Sequence, residues 1–203
     1  MDSHLQLHIS TGAFLLLAGL LLLLPLQWVV AMIIAAVVHE ISHVLAVFIT
    51  GGKIRKIYIG GRGVVMETHS MSAIREIICA LAGPIGSFLL LAVAPRFPRT
   101  AVCGIVHGLY NLLPLFPMDG GRVLWCMFFA FFRPPLAQKL LAWIQLVVVA
   151  VISVGCMVLS LKVGMLPILF AILILGNNIK ENPLAKMPLW RYNRGTIHKE
   201  VRP

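Results

Sequence analysis

The segment His39-Glu40-Ile41-Ser42-His43 places three ionisable side chains within five residues. On a helix, residues four apart share a face, so His39 and His43 can grip one ion between their imidazoles. Glu40 points about 100° around the helix from His39, near enough to act as a base beside that ion without ligating it. This is the H-E-x-x-H spacing in which two histidines hold zinc and the glutamate serves as general base. A zinc site so built lacks a third protein ligand. Asp119, His107 and His69 are the candidates. Asp119 lies in Asn111-Leu-Leu-Pro114-Leu-Phe-Pro117-Met-Asp119-Gly120-Gly121, where two prolines and two glycines break a helix. At bilayer depth, broken backbone is tolerated only where it is buried in protein or lines a cavity, which favours Asp119 as the third ligand. His107 reads as a packed core histidine and His69 as a surface residue in a connection.

Composition explains why such a cluster needs a partner. The chain has 203 residues, 60% hydrophobic and 12% charged, and its mean hydropathy is +0.95. That excess of apolar residues excludes an ordinary soluble enzyme, a disordered chain and a disulfide-stapled secreted module. A polytopic membrane protein remains. A bilayer asks for about 20 apolar residues per helix. Stretches that meet or approach this are Leu5 to Leu24, Trp28 to Thr50, Ala73 to Ala94, Ala101 to Phe132 (interrupted between Pro114 and Gly121), Gln138 to Leu159 and Val163 to Asn178. The first carries no Lys or Arg and no small-residue cleavage site follows it, so it reads as a span and not a signal peptide. Of seven acidic residues only Glu40 and Asp119 fall well inside apolar spans, and an ionisable group there marks a functional site by default. His43 should lie roughly 10 Å, and His39 about 16 Å, from the cytoplasmic end of its helix. A polar cleft open to the cytoplasm must then admit water.

Charge sets the orientation. With the N-terminus in the cytoplasm, 13 Lys or Arg fall in inside segments and three (Arg96, Arg99 and Lys162) outside, with Arg122 left in the broken fourth span. Both termini are therefore expected in the cytoplasm. The net charge of +10 reads as topology and not as nucleic-acid binding. The cysteines Cys79, Cys103, Cys126 and Cys156 form no C-x-x-C pair and read as small buried hydrophobes. Between spans two and three, Lys53 to Thr68 places Ile54, Ile57, Ile59, Val64 and Val65 around a glycine-rich turn, the pattern of a β-hairpin. The basic residues 181–203 read as a cytoplasmic tail anchored by its charge, with contact to anionic lipid or a partner as the other reading.

His39-Glu40-x-x-His43 in one span, with Asn111-x-x-Pro114 and Asp119-Gly120 in a later one, resembles the site-2 protease family of intramembrane zinc metalloproteases. Gly51-Gly52 and Ala82-Gly83-Pro84 fit as well, and Pro117-Met-Asp119-Gly-Gly-Arg122 is most similar to the bacterial stage IV sporulation protein FB type. The resemblance implies one zinc ion per chain, held by His39, His43 and Asp119, with Glu40 as catalytic base. It further implies Asn111 and Pro114 as substrate-binding positions, Asn111 holding substrate or stabilising an oxyanion. Ile41-Ser42 stands where many members have leucine-glycine. That branch often carries a nucleotide-sensing CBS domain after the last span. About 25 residues follow here, too few for a domain, so either the chain is truncated or its regulation differs.

The expected fold is thus an all-α polytopic membrane protein with six transmembrane helices, the fourth broken, and a small membrane-associated β-hairpin between helices 2 and 3. Residues 1–180 form the metalloprotease domain. The expected partners are a membrane-tethered protein substrate, the lipid bilayer of a bacterial cell and inhibitory membrane proteins, with no nucleic acid. The rival reading is a divalent-metal transporter using the same ligands, which would usually show a symmetric half or a second polar helix.

Overall fold

The computed structural model describes residues 6–9, 18–19, 21–52, 54–60, 63–68 and 71–163. Its elements are β1 (Gln6–Ile9), α1 (Leu26–Ile49), β2 (Ile54–Gly60), β3 (Gly63–Thr68), α2 (Ala73–Leu89) continued by one 3₁₀ segment (Leu90–Val93), α3 (Pro98–Asn111), α4 (Asp119–Phe131) and α5 (Pro134–Val163). Residues up to Gln145 form one compact unit and Leu146–Pro203 a second, so that α5 crosses the boundary. Within the first unit α5 buries Ala137, Leu141 and Gln145. The division expected at residue 180 lies outside the described residues.

Helix α1 has two faces. Ala31, Ala35, His39, His43, Ala46 and Val47 recur every three or four residues and are buried. Val30, Ile34, Val37, Ile41, Leu45 and Phe48 follow the same period on the other side and are exposed. A helix apolar on both faces suits a hydrocarbon surround. It stops at Gly51, whose φ of 74° few side chains tolerate. The Gly51 N–H donates to Phe48 O (3.0 Å) and the Gly52 N–H to Val47 O (2.8 Å), the paired bonds of a Schellman cap.

Helix α2 is central and packs against α1, α3 and α4. Its buried residues include Ala80, Gly83, Gly86 and Ser87, small side chains that let membrane helices approach closely. Three described helices are long and apolar enough to cross a membrane: Leu26–Ile49, Ala73–Val93 and Pro134–Lys162.

The predicted fourth span is two separate helices, α3 of 14 residues and α4 of 13. Each is about 20 Å long, short of a bilayer core of about 30 Å. The connection, residues 112–118, contains the cis peptide Phe116–Pro117. The first expected span does not begin as a helix at Leu5, because Gln6–Ile9 is a strand paired in parallel with β2, Gln6 opposite Lys56 and Ile9 opposite Ile59. Gln-Leu-His-Ile alternates polar and apolar, the period of a strand, and the long apolar run behind it hid that signal. The sixth expected span lies almost wholly outside the described residues. Strands β2 and β3 pair antiparallel, Gly60 opposite Gly63, with a register shift between Ile54 and Lys56. The sheet order is β1-β2-β3.

Candidate metal centre

His39 and His43 leave the buried face of α1 toward α2 and α4. Asp119 is the first residue of α4 and enters from the connection. All three are nearly inaccessible, at 2%, 6% and 6% exposure. His39 Nε2 lies 3.1 Å from Asp119 Oδ2, His43 Nε2 3.2 Å from the same oxygen, and the two Nε2 atoms 3.1 Å apart.

Hydrogen bonds behind the rings fix which atoms converge. His43 Nδ1 is 2.7 Å from the Cys79 carbonyl. A carbonyl only accepts, so Nδ1 carries the hydrogen and Nε2 of the neutral ring presents a lone pair. His39 Nδ1 lies 3.0 Å from Ser87 Oγ. The lone pair of His43 Nε2, the His39 Nε2 atom and a carboxylate oxygen therefore face one another away from water. Such a group needs a positive charge among them, a proton or a metal ion. Tetrahedral zinc bonded at about 2.0–2.1 Å keeps its donors about 3.3–3.4 Å apart, close to the observed triangle. His39, His43 and Asp119 thus form a group able to hold a metal ion. A second ring of partners that orients ligating imidazoles is what metal sites generally need.

Helix α2 approaches so closely that position 83 has no room for a side chain. A Cβ there would overlap the His43 ring and stand 2.7 Å from His39 Cε1. Gly83→Ala is expected to push the imidazoles out of register and weaken zinc binding by about 10–100-fold, as losing an orienting partner does. Chelator competition on the purified variant measures it. Gly155→Ala, where nothing lies within 4 Å, should leave the affinity unchanged. Zinc affinity equal to the parent in Gly83→Ala would show that α2 does not shape the site.

Glu40 is half-buried and stands within electrostatic reach of His43, Asp119 and Arg122, yet it is not among the converging ligand atoms. The other carboxylate oxygen of Asp119 faces Arg122 Nη1 at 3.9 Å, and Arg122 Nη2 faces Glu76 Oε1 at 3.8 Å. His107 stays outside the triad and meets the His39 ring edge to face, centroids 4.7 Å apart. His69 lies outside the described residues. Asn111 ends α3, its Nδ2 donating to the His107 carbonyl at 3.0 Å, and Pro114 is half-buried in the connection. Ser87, the Cys79 carbonyl and Arg122 received no site role from the sequence. Ser87 carries the only hydroxyl of α2, a usable signal.

Two histidines on one apolar helix long enough to cross a membrane, a carboxylate delivered by a helix break and a glutamate beside the histidines form the core of a membrane-embedded metal centre. The family model described as Peptidase M50B-like matches residues 12–113, and the chain belongs to that family. The matched segment holds His39, Glu40, His43 and Asn111 and ends before Asp119. A zinc metalloprotease of Methanocaldococcus jannaschii is 31% identical over 143 residues, covering 61% of this chain and 42% of the relative. Stage IV sporulation protein FB of Bacillus subtilis is 25% identical over 143 residues, covering 63% and 49%. The matches therefore span about half the length of these curated relatives. The fold is similar to that of a solved site-2 protease from Methanocaldococcus jannaschii, with a TM-score of 0.62 at 22% identity over 86% of this chain and 89% of that one.

Proposed function

We propose that this chain is an intramembrane zinc metalloendopeptidase that cuts a membrane-tethered protein in or near its transmembrane segment. The observation that carries the reading is the convergence of His39 Nε2, His43 Nε2 and Asp119 Oδ2 within about hydrogen-bond distance of one another, with Glu40 beside them and free of the ligand set. His39, His43 and Asp119 would hold the zinc. When bound, zinc supplies Lewis acidity toward a carbonyl and lowers the pKa of the attacking water. Glu40 takes the proton from that water and returns it to the leaving amine nitrogen. Ser87 and the Cys79 carbonyl keep the imidazoles aimed, and Arg122 faces the outer oxygen of Asp119. Asn111 at the end of α3 and Pro114 in the connection that leads to Asp119 hold substrate.

A helical substrate hides its scissile bond and must unwind. The outer edge of β3, which has no strand beside it in the order β1-β2-β3 among the described residues, offers the extended segment a pairing partner by strand addition. In this reading the chain crosses the membrane six times with both termini cytoplasmic, the hairpin lies at the cytoplasmic face, residues 1–180 are the catalytic domain, and inhibitory membrane proteins gate it. The similarity to a sporulation protein extends the reading to a sigma-factor precursor as substrate. The transporter alternative draws no support from the family match.

Purified protein is expected to carry close to one zinc per chain. Chelation should abolish cleavage of a membrane-tethered reporter, and zinc added back should restore it. Cleavage persisting in metal-free protein would sink the proposal.

A further inference from the structure

At the N-terminal end of α1, far from the metal centre, a cleft of about 400 Å³ opens between that helix and the turn leading into α3. Val30 and Ile34 form one wall, and Phe97, Arg96, Arg99 and Thr100 the other. Val30 precedes His39 by nine residues, so the cleft lies about 13 Å along the helix from the nearer imidazole. The lining is largely apolar, yet it carries two guanidiniums. Neither Arg96 nor Arg99 has an ion pair among the described residues. The acidic residues whose side chains are described are Glu40, Glu76 and Asp119, and none lines the cleft.

Two further features point at an anion. Thr100 is 8% exposed, lines the cleft, and makes no side-chain hydrogen bond among the described residues. Its hydroxyl is not among the buried atoms left without a partner, so it opens onto the cleft and is free to donate to a ligand there. Helix α3 begins at Pro98 and has no side-chain cap. Its first amides, at Arg99 and Thr100, have no partner within the helix, and the helix dipole there favours negative charge. The cleft thus brings the charge of Arg96 and Arg99 together with an apolar lining of Val30, Ile34 and Phe97. That is the outline of a phosphate headgroup with the start of an acyl chain. The sequence adds a reason to ask for one: these are two of only three basic residues on the expected outer side, where the positive-inside bias disfavours them.

We propose that this cleft binds one anionic phospholipid, its phosphate held by Arg96, Arg99 and the Thr100 hydroxyl. The site is independent of the peptidase reading. Its test uses the full chain, delipidated in detergent and offered phosphatidylglycerol or phosphatidylcholine, with retained lipid counted by native mass spectrometry. The parent protein retains one phosphatidylglycerol in preference to phosphatidylcholine. Arg96→Gln with Arg99→Gln lowers its apparent affinity on the order of thirtyfold, from two lost contacts near a phosphate. Arg96→Lys with Arg99→Lys keeps the charge and most of the binding, which controls for misfolding. Lys162→Gln, at the third outer basic position, has no effect. Equal retention by the parent and the double Gln variant would overturn the proposal, as would an equal loss in Lys162→Gln. Displacement of the lipid by millimolar inorganic phosphate alone would overturn it too, since the acyl contacts would then contribute nothing.

Discussion

Glu40→Gln is expected to keep its zinc and lose cleavage by about 10²–10⁴-fold, the usual contribution of a positioned general base. The amide has the shape of the carboxylate, so the packing around position 40 is undisturbed. It cannot take a proton at the pH of the assay. Glu40 lies outside the triad of ligand atoms, so its replacement removes no donor from the metal. Two measurements on one preparation separate the roles. Zinc content should match the parent, and cleavage of a co-expressed membrane-tethered reporter should fall to background. Loss of zinc in Glu40→Gln would mean that the carboxylate ligates. Cleavage at the parental rate would remove Glu40 from the chemistry altogether.

What could be read from the residues alone follows from which periods are local. His39 and His43 are bound to share a face because one helix carries both, and no tertiary information is needed. Asp119 was readable for another reason: Pro114, Pro117, Gly120 and Gly121 announce a helix break, and a carboxylate beside a break in an apolar span has few places to go. The depth of the site on α1 also follows from the Gly51 stop, seven or eight residues past His43. The residues that aim the imidazoles were not readable. Ser87 lies 48 positions from His39, and its role depends on the rotation and separation of α1 and α2. Gly83 carries no pattern of its own, and its importance appears only when a Cβ is placed against the His43 ring. Strand β1 was lost for the opposite reason, four alternating residues being outweighed by the apolar run that follows. Arg122 stood unassigned in a broken span because its partners, Glu76 and Asp119, come from two different helices.

Asp119→Ala separates the metal from the fold. The change removes one of three donors, so the zinc affinity should fall by more than the 10–100-fold typical of a lost outer partner, at least about a thousandfold. It should destabilise the metal-free protein only modestly. Without an ion, a proton on a facing imidazole nitrogen bridges to Asp119 Oδ2. Removing the carboxylate forfeits that one bond, a cost of about 1–3 kcal/mol, while Arg122 keeps Glu76 as a partner. Thermal unfolding tests both halves. A ligand that binds only the folded state stabilises it by about 4 kcal/mol at a thousandfold excess over Kd. Added zinc should therefore raise the melting temperature of the parent and leave Asp119→Ala where it was, while the two metal-free proteins melt within a few degrees of each other. A zinc-dependent rise of equal size in both would mean that the two histidines bind the ion without the carboxylate. The helix break at Pro114 to Gly121 would then have to be explained by something other than its delivery of a ligand.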